Sequence, residues 1–130
     1  MNVVIKRIDK GKDLIGEIEK IIEEEDLHSS WILGGIGAID NIEIGTYRPE
    51  REEYERYFIK EPLELVSCQG NVSEEGIIHL HCSVGDGDKT YAGHLFKARV
   101  SAFVEIAFLK LDIELKRRTL NKTLKELVIE

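Results

Sequence analysis

The chain has 130 residues, a formal net charge of −7 and 42% apolar residues, a composition typical of one soluble domain over 1–130 with a single core. The negative charge disfavours nonspecific binding to the phosphates of nucleic acids. Because it has no run of about 18 apolar residues and no secretory signal at its start, we expect a cytoplasmic protein that does not cross a membrane.

A strand and an amphipathic helix are predicted first along the chain. Residues 3–8 are mostly β-branched, which favours a strand. Over residues 14–26 the apolar side chains recur at helical spacing, and Asp13 precedes them as the predicted N-cap. The opposite face of this helix is rich in glutamate and lysine, so we expect it to face solvent.

The next segment, 29–47, predicts two β-rich parts joined by a hairpin-like turn at 38–41. The glycine-rich stretch 34–37 has the composition of a phosphate-binding loop. However, it follows a helix and leads into β-rich sequence, the reverse of the dinucleotide-binding order, so we interpret these glycines as close backbone packing or a bulge. The charged segment 48–62 is expected to form a surface loop or a short helix.

From Leu63 onward the sequence predicts a meander of strands with short turns, one of them at 97–98. The predicted strand segments are 63–73, 76–84, 90–96, 98–110 and 111–119. Together with the early strand and helix, they indicate an α+β domain. We expect a strongly curved, largely antiparallel sheet with one principal helix packed on it.

Three of the four histidines lie close together in the sequence, in the stretch GIIHLHCSVGDGDKTYAGHLF. Because side chains alternate along a strand, His79 and His81 project from one face, and the apolar residues between and beside them face the core. The short loop that follows predicts a hairpin, which brings His94 opposite or diagonal to the pair. Three neutral imidazoles would bind a divalent metal ion and leave one coordination position open.

Zinc is the expected ion, although cobalt, nickel, copper or iron would accept the same nitrogen ligands. The alternative interpretation is that these histidines merely alternate on a polar face. Glu105 interrupts an apolar strand. It is interpreted as the partner of a histidine or cation across the sheet, as a general base on metal-bound water, or as a residue exposed at an edge. Asn71 is interpreted as a turn former, and Cys68 and Cys82 as buried thiols without a disulfide.

The densest group of basic residues lies near the C-terminus. A solvent-exposed strand end or turn is one interpretation, and a contact patch for nucleic acid is the other. Its members are Lys116, Arg117, Arg118, Lys122 and Lys125.

The chain resembles the PPC (plants and prokaryotes conserved) domain family in its stand-alone prokaryotic form, over most of its length. The matching pieces are GGIGAI at 34–39, LELVSCQGNVS at 63–73, IHLHCSVGD at 78–86, AGHLFKARV at 92–100 and VEIAF at 104–108. The resemblance implies an α+β homotrimer, with the family's histidine motif on His79, His81 and His94 and its acidic strand position on Glu105. The fold is also similar to that of acetolactate decarboxylase, which binds zinc through three histidines.

These observations lead to one functional expectation and two alternatives. We expect a homotrimer with a three-histidine site for a divalent metal or a small-molecule ligand, with Glu105 nearby and no reaction assigned. The alternatives are a DNA-binding regulatory protein, as prokaryotic members of the family are often described, or a purely structural assembly domain.

Overall fold

The computed structural model describes residues 2–129, which form one helix and eight strands. In chain order they are β1 (Val3–Asp9), α1 (Leu14–Glu25), β2 (Ser30–Arg48), β3 (Glu53–Ile59), β4 (Leu63–Val72), β5 (Ile78–Gly85), β6 (Thr90–Lys110), β7 (Leu115–Thr119) and β8 (Lys125–Ile129). In residues 2–129 no helix combines the length and the apolar composition that crossing a membrane requires.

Six strands form one antiparallel sheet in the order β1-β6-β5-β4-β2-β3. The two long strands, β2 and β6, also pair with each other, so that β2, β4, β5 and β6 form a closed ring. A sheet can close in this way only if it is strongly curved. The predicted α+β class, with a curved and largely antiparallel sheet and one principal helix, is confirmed.

The helix α1 begins and packs as its sequence predicts. Asp13 is the N-cap, and its carboxylate accepts a hydrogen bond of 2.9 Å from the backbone N–H of Gly16, which satisfies one of the unpaired amide groups of the first turn. The apolar stripe of the helix is buried in the core. Its buried members are Leu14, Ile18, Ile21 and Ile22.

The long strand β2 contains no hairpin, so the turn predicted at 38–41 is wrong. Its pairing with β6 instead shifts register between Asp40 and Glu43, and Asn41 has a left-handed φ of 47°. Asp40 is buried at this bulge, where its carboxylate accepts hydrogen bonds of 2.8 and 2.6 Å from Arg99. The turn-forming residues therefore bend the strand without ending it.

Two further predictions from the sequence are corrected by the strand pairings. The segment 48–62, expected to be a loop or a short helix, contains β3, which pairs with the second half of β2. The turn expected at 97–98 is absent, because β6 runs through these residues while Lys97 pairs with Glu43. Local composition favoured a break at each place, whereas pairing with β2 keeps both segments extended.

The two cysteines are buried and free, as predicted. Cys68 and Cys82 face each other directly across β4 and β5. Burial raises the pKa of each thiol to about 12, so both behave as small apolar residues in the core.

The strands β7 and β8 form a separate two-stranded sheet after the main sheet ends. This hairpin is held to the body of the protein by hydrogen bonds from its own side chains. Asn121 donates to the hydroxyl of Tyr47 at 2.8 Å, and Thr123 donates to the carbonyl oxygen of Glu52. The hairpin therefore lies against the same end of the sheet as the β2–β3 turn.

Candidate metal centre

The structure brings the three predicted histidines together where β5 pairs with β6. His81 lies directly opposite His94 in the register, and His79 projects from the same face two residues earlier on β5. One ring nitrogen from each histidine lies within 4.8 Å of the other two. The Nε2 atoms of His79 and His81 are 3.0 Å apart. The predicted convergence is confirmed.

Close approach of the backbone makes this arrangement possible. Gly93, next to His94, has a φ of +156°, and a Cβ at this position would lie 2.4 Å from the carbonyl oxygen of Gly45. Any larger residue would force β2 and β6 apart beside His94. The glycine therefore permits the pairing that holds His94 opposite His81.

The electrostatic surroundings keep two of the three imidazoles neutral. Burial, followed by electrostatic contributions from His81 and Arg117, lowers the pKa of His79 to about 4. Burial also lowers the pKa of His94 to about 4, with further contributions from His79, His81 and Arg56. At neutral pH these rings therefore offer unprotonated nitrogens, the form that coordinates a metal.

A buried histidine nitrogen without a hydrogen-bond partner is a second feature that suits a metal site. The Nδ1 atom of His94 is buried and has no hydrogen-bond partner. Leaving such a group unpaired costs on the order of 1–3 kcal/mol. Three histidine nitrogens within coordinating reach form a donor set that suits zinc and similar transition metals.

Arg117 is the main feature of this site that the sequence did not predict. Its Nη2 donates to Oδ1 of Asn71 at 2.5 Å and lies 3.3 Å from Nδ1 of His79. Asn71 itself is buried on β4, opposite His79, and so orients the arginine instead of forming a turn. Arg117 is two residues after the buried Leu115 on β7 and therefore lies on the same face of that strand, a placement that the local sequence did not indicate.

The rings of Phe96 and Tyr54 pack against the ring of His94. The ring centroid of Phe96 lies 4.3 Å from that of His94, and the centroid of Tyr54 lies 4.9 Å away. The guanidinium carbon of Arg56 lies 3.7 Å from the centre of the Phe96 ring, a cation–π contact. Tyr54 and Arg56 were missed because the segment that forms β3 was expected to be a surface loop or a short helix.

Cavities open on more than one side of the histidine cluster. One, of about 500 Å³, is lined by His81 and His94 together with Tyr54 and residues of β2 and β4. Another, of about 300 Å³, is lined by His79 and His94 and by residues of the β7–β8 hairpin. A small molecule in either cavity would therefore contact the histidines.

Glu105 is not brought to the histidines. It lies on β6 eleven residues after His94, which corresponds to roughly 35 Å along a strand. Its side chain is exposed and lines a shallow depression with Leu33, Ile36 and Ile5. In the register it lies between Arg7 of β1 and Ile36 of β2.

Three of the five C-terminal basic side chains contact other groups of the chain. Arg117 is directed towards His79, as described above. Arg118 is paired with Glu126 at 2.5 Å, and Lys116 lies 3.3 Å from Glu114. Neighbouring carboxylates therefore offset the charges of Lys116 and Arg118.

The chain is a small α+β domain of a definite class. Its features are the closed antiparallel ring, the single helix and the histidine cluster at the β5–β6 pairing. The chain belongs to the Plants and Prokaryotes Conserved (PCC) domain family, whose profile matches residues 1–112. The matched region contains all three histidines and ends before the β7–β8 hairpin.

Solved structures show the same fold. A metal-containing protein from Archaeoglobus fulgidus is 33% identical, with a TM-score of 0.89 over 98% of this chain and 94% of that chain. A plant- and prokaryote-conserved (PPC) protein from Pyrococcus horikoshii is 26% identical, with a TM-score of 0.88 over 98% and 92%. A candidate DNA-binding protein from Bacteroides thetaiotaomicron is 26% identical, with a TM-score of 0.86 over 99% and 92%.

The chain is also similar in sequence to the bifunctional protein GlmU of a Synechococcus strain. The two are 26% identical over 90 residues, which is 68% of this chain. The chain spans only 13% of the length of that curated relative.

Proposed function

We propose that the protein binds a divalent metal ion through His79, His81 and His94, with zinc as the expected ion. The observation that carries this proposal is the convergence of one nitrogen from each ring within 4.8 Å. Three protein ligands leave a fourth position open, which is typical of sites that bind a small molecule at the metal. The metal in the similar Archaeoglobus fulgidus protein supports the proposal.

No particular reaction is assigned to this site. An ion with an open position polarises a bound carbonyl or lowers the pKa of bound water. The chain's own residues would contribute orientation, since Arg117 contacts His79 and the rings of Phe96 and Tyr54 pack against His94. We therefore propose a metal-dependent protein for a small-molecule ligand.

Metal analysis of protein purified without a histidine tag and exposed to zinc tests the proposal. We expect about one ion per chain, and loss of the ion in His81→Ala. His28→Ala is the matched control, because the His28 ring contacts Glu23 and the backbone of Glu74, outside the cluster. Metal-free protein after incubation with zinc would rule out the site, and so would equal metal content in the two variants.

We also propose that the chain assembles as a homotrimer, with Glu105 at the contact between subunits. Exposed apolar side chains lie around Glu105 on one face of the sheet, a pattern typical of subunit contacts. These are Ile5 (72% exposed), Ile36 (54%), Phe103 (46%) and Leu33 (42%). On this proposal Glu105 acts in assembly and not in proton transfer.

Light scattering at several concentrations tests the trimer. We expect a mass of three chains for the parent protein and a smaller mass for Ile36→Glu. Leu120→Glu is the control, because Leu120 is similarly exposed (57%) but lies between β7 and β8. A parent protein that stays monomeric at all concentrations would contradict the proposal.

DNA binding is the second candidate function, favoured by the description of the Bacteroides thetaiotaomicron neighbour. The net charge of −7 and the pairing of Arg118 with Glu126 weigh against it. If the protein binds DNA, affinity must fall steeply with salt and decrease in Arg118→Gln. The absence of a mobility shift at low salt would eliminate this candidate.

A further inference from the structure

The cavity of about 300 Å³ between the histidines and the β7–β8 hairpin is lined by basic side chains. These are Arg56, Arg117 and Lys125, together with His79 and His94, and none of the described lining residues is acidic. Arg56 is also paired with Glu43 at 3.0 Å, whereas Arg117 and Lys125 lie on the hairpin side. A lining of basic side chains is unexpected in a chain with 25 acidic and 18 basic residues. A cavity lined by one sign of charge concentrates ligands of the opposite sign.

Arg117 has hydrogen-bonding capacity left for a ligand. A guanidinium carries five N–H donors. Its hydrogen bonds to Asn71 and to the carbonyl oxygen of Lys125 use two of them. Nδ1 of His79, 3.3 Å away, accepts a third only in the tautomer that leaves this nitrogen unprotonated. The Nε–H of Arg117 is buried without an acceptor. A carboxylate is the group whose geometry best matches such free donors.

The remaining walls of the cavity are apolar and limit the size of the ligand. Side chains of Ile77, Ile78, Phe96 and Leu124 line it, and its volume is about 300 Å³. An anion without an apolar part would leave these walls exposed to water. The cavity therefore fits a carboxylate attached to a compact apolar body.

The wall that contains Arg117 lies outside the matched family region. Arg117, Thr123, Leu124 and Lys125 belong to β7, β8 or the turn between them, whereas the family profile ends at residue 112. The histidine cluster and Arg56 lie within the profile, whereas Arg117 and Lys125 lie outside it. The two parts of the site thus come from different segments of the chain.

We propose that the cavity between the histidine cluster and the β7–β8 hairpin binds small organic carboxylates with an apolar body, and that Arg117 recognises the carboxylate. This inference deepens the proposed function and rests on it for the placement of the ligand beside a metal. A divalent ion held by three neutral histidines keeps its positive charge, so it would add to the attraction.

Calorimetric titration with benzoate tests the inference, using zinc-exposed and metal-free protein. We expect benzoate to bind and the uncharged benzamide, similar in shape, to bind at least about ten-fold more weakly. Arg117→Gln should weaken benzoate binding by at least about ten-fold relative to the parent protein compared at the same metal content. Arg118→Gln is the matched control, because Arg118 is on the same strand but paired with Glu126.

Spectroscopy of the parent protein gives a readout that does not depend on a variant that folds. In ¹H–¹⁵N spectra we expect benzoate to shift the Nε–H signal of Arg117 and to leave that of Arg118 unchanged. Equal binding of benzoate and benzamide would overturn the inference, as would undiminished benzoate binding by Arg117→Gln or no binding at millimolar concentration. Arg117-dependent binding by metal-free protein would support it even if metal analysis found no ion.

Discussion

Replacing Gly70 by alanine is expected to disturb the histidine cluster through the backbone. Gly70 lies on β4 beside β5, and a Cβ at this position would lie 1.8 Å from the carbonyl oxygen of His79. Real Cβ atoms essentially never come within 3.0 Å of such an atom, so the two strands must separate by at least about 1.2 Å. The displaced residue is one of the three proposed ligands.

The size of the effect follows from this overlap. Forcing an extra carbon into a well-packed region costs on the order of 1–3 kcal/mol. We expect the upper half of this range for Gly70→Ala, because a backbone carbonyl cannot rotate away as a side chain can. For a domain of this size the melting temperature should fall by roughly 6–9 °C, at about 3 °C per kcal/mol.

Gly34→Ala is the matched control, since a Cβ at Gly34 would meet nothing within 4 Å. We expect it to leave the melting temperature unchanged or to raise it slightly, because alanine restricts the unfolded chain. Thermal unfolding followed by circular dichroism, with zinc content measured on the same samples, compares the two variants. Equal melting temperatures for Gly70→Ala, Gly34→Ala and the parent would refute the reasoning.

Three further predictions concern the body of the domain. Arg99 holds the pKa of the Asp40 carboxyl below its ordinary value of 3.8. The stability advantage of the parent protein over Asp40→Asn should therefore be complete above about pH 5 and shrink as the pH falls below about 4. Urea midpoints from pH 3 to 7 measure this difference, and a difference that stays constant with pH would contradict the prediction. Phe108→Ala removes a fully buried ring and should lower the free energy of unfolding by about 3–5 kcal/mol in the same assay, where a loss below about 1 kcal/mol would speak against this packing. Because burial raises the pKa of the Cys68 and Cys82 thiols to about 12, a thiol reagent should modify neither in the folded protein at pH 8 and both in urea, and rapid reaction without urea would disprove their burial.

The sequence contained enough information to predict the histidine cluster because the signal is short-range. Alternation placed His79 and His81 on one face of a strand, and the loop before His94 is short enough to indicate a hairpin. The helix was predicted for a similar reason, since Asp13 and the apolar stripe lie within one segment. In each case the residues that decide the structure are neighbours in the sequence.

The residues that were missed depend on pairing between distant segments. Arg117 is 38 residues from His79, and no local pattern indicates that the C-terminal hairpin lies against β5. Glu105 was expected near the histidines because it is a polar residue in an apolar strand. That strand continues without a turn for 21 residues, so β6 carries Glu105 far from His94.

The attachment of the β7–β8 hairpin has a consequence for how this protein can diversify. The three imidazoles are carried by β5 and β6, whereas the hairpin carries Arg117 and Lys125 on the other side of the cavity. On the proposed function, substitutions at these hairpin positions would alter which molecules are accepted without changing the residues that bind the ion. Grafting this terminal segment between homologous proteins would be a direct way to exchange their preferences.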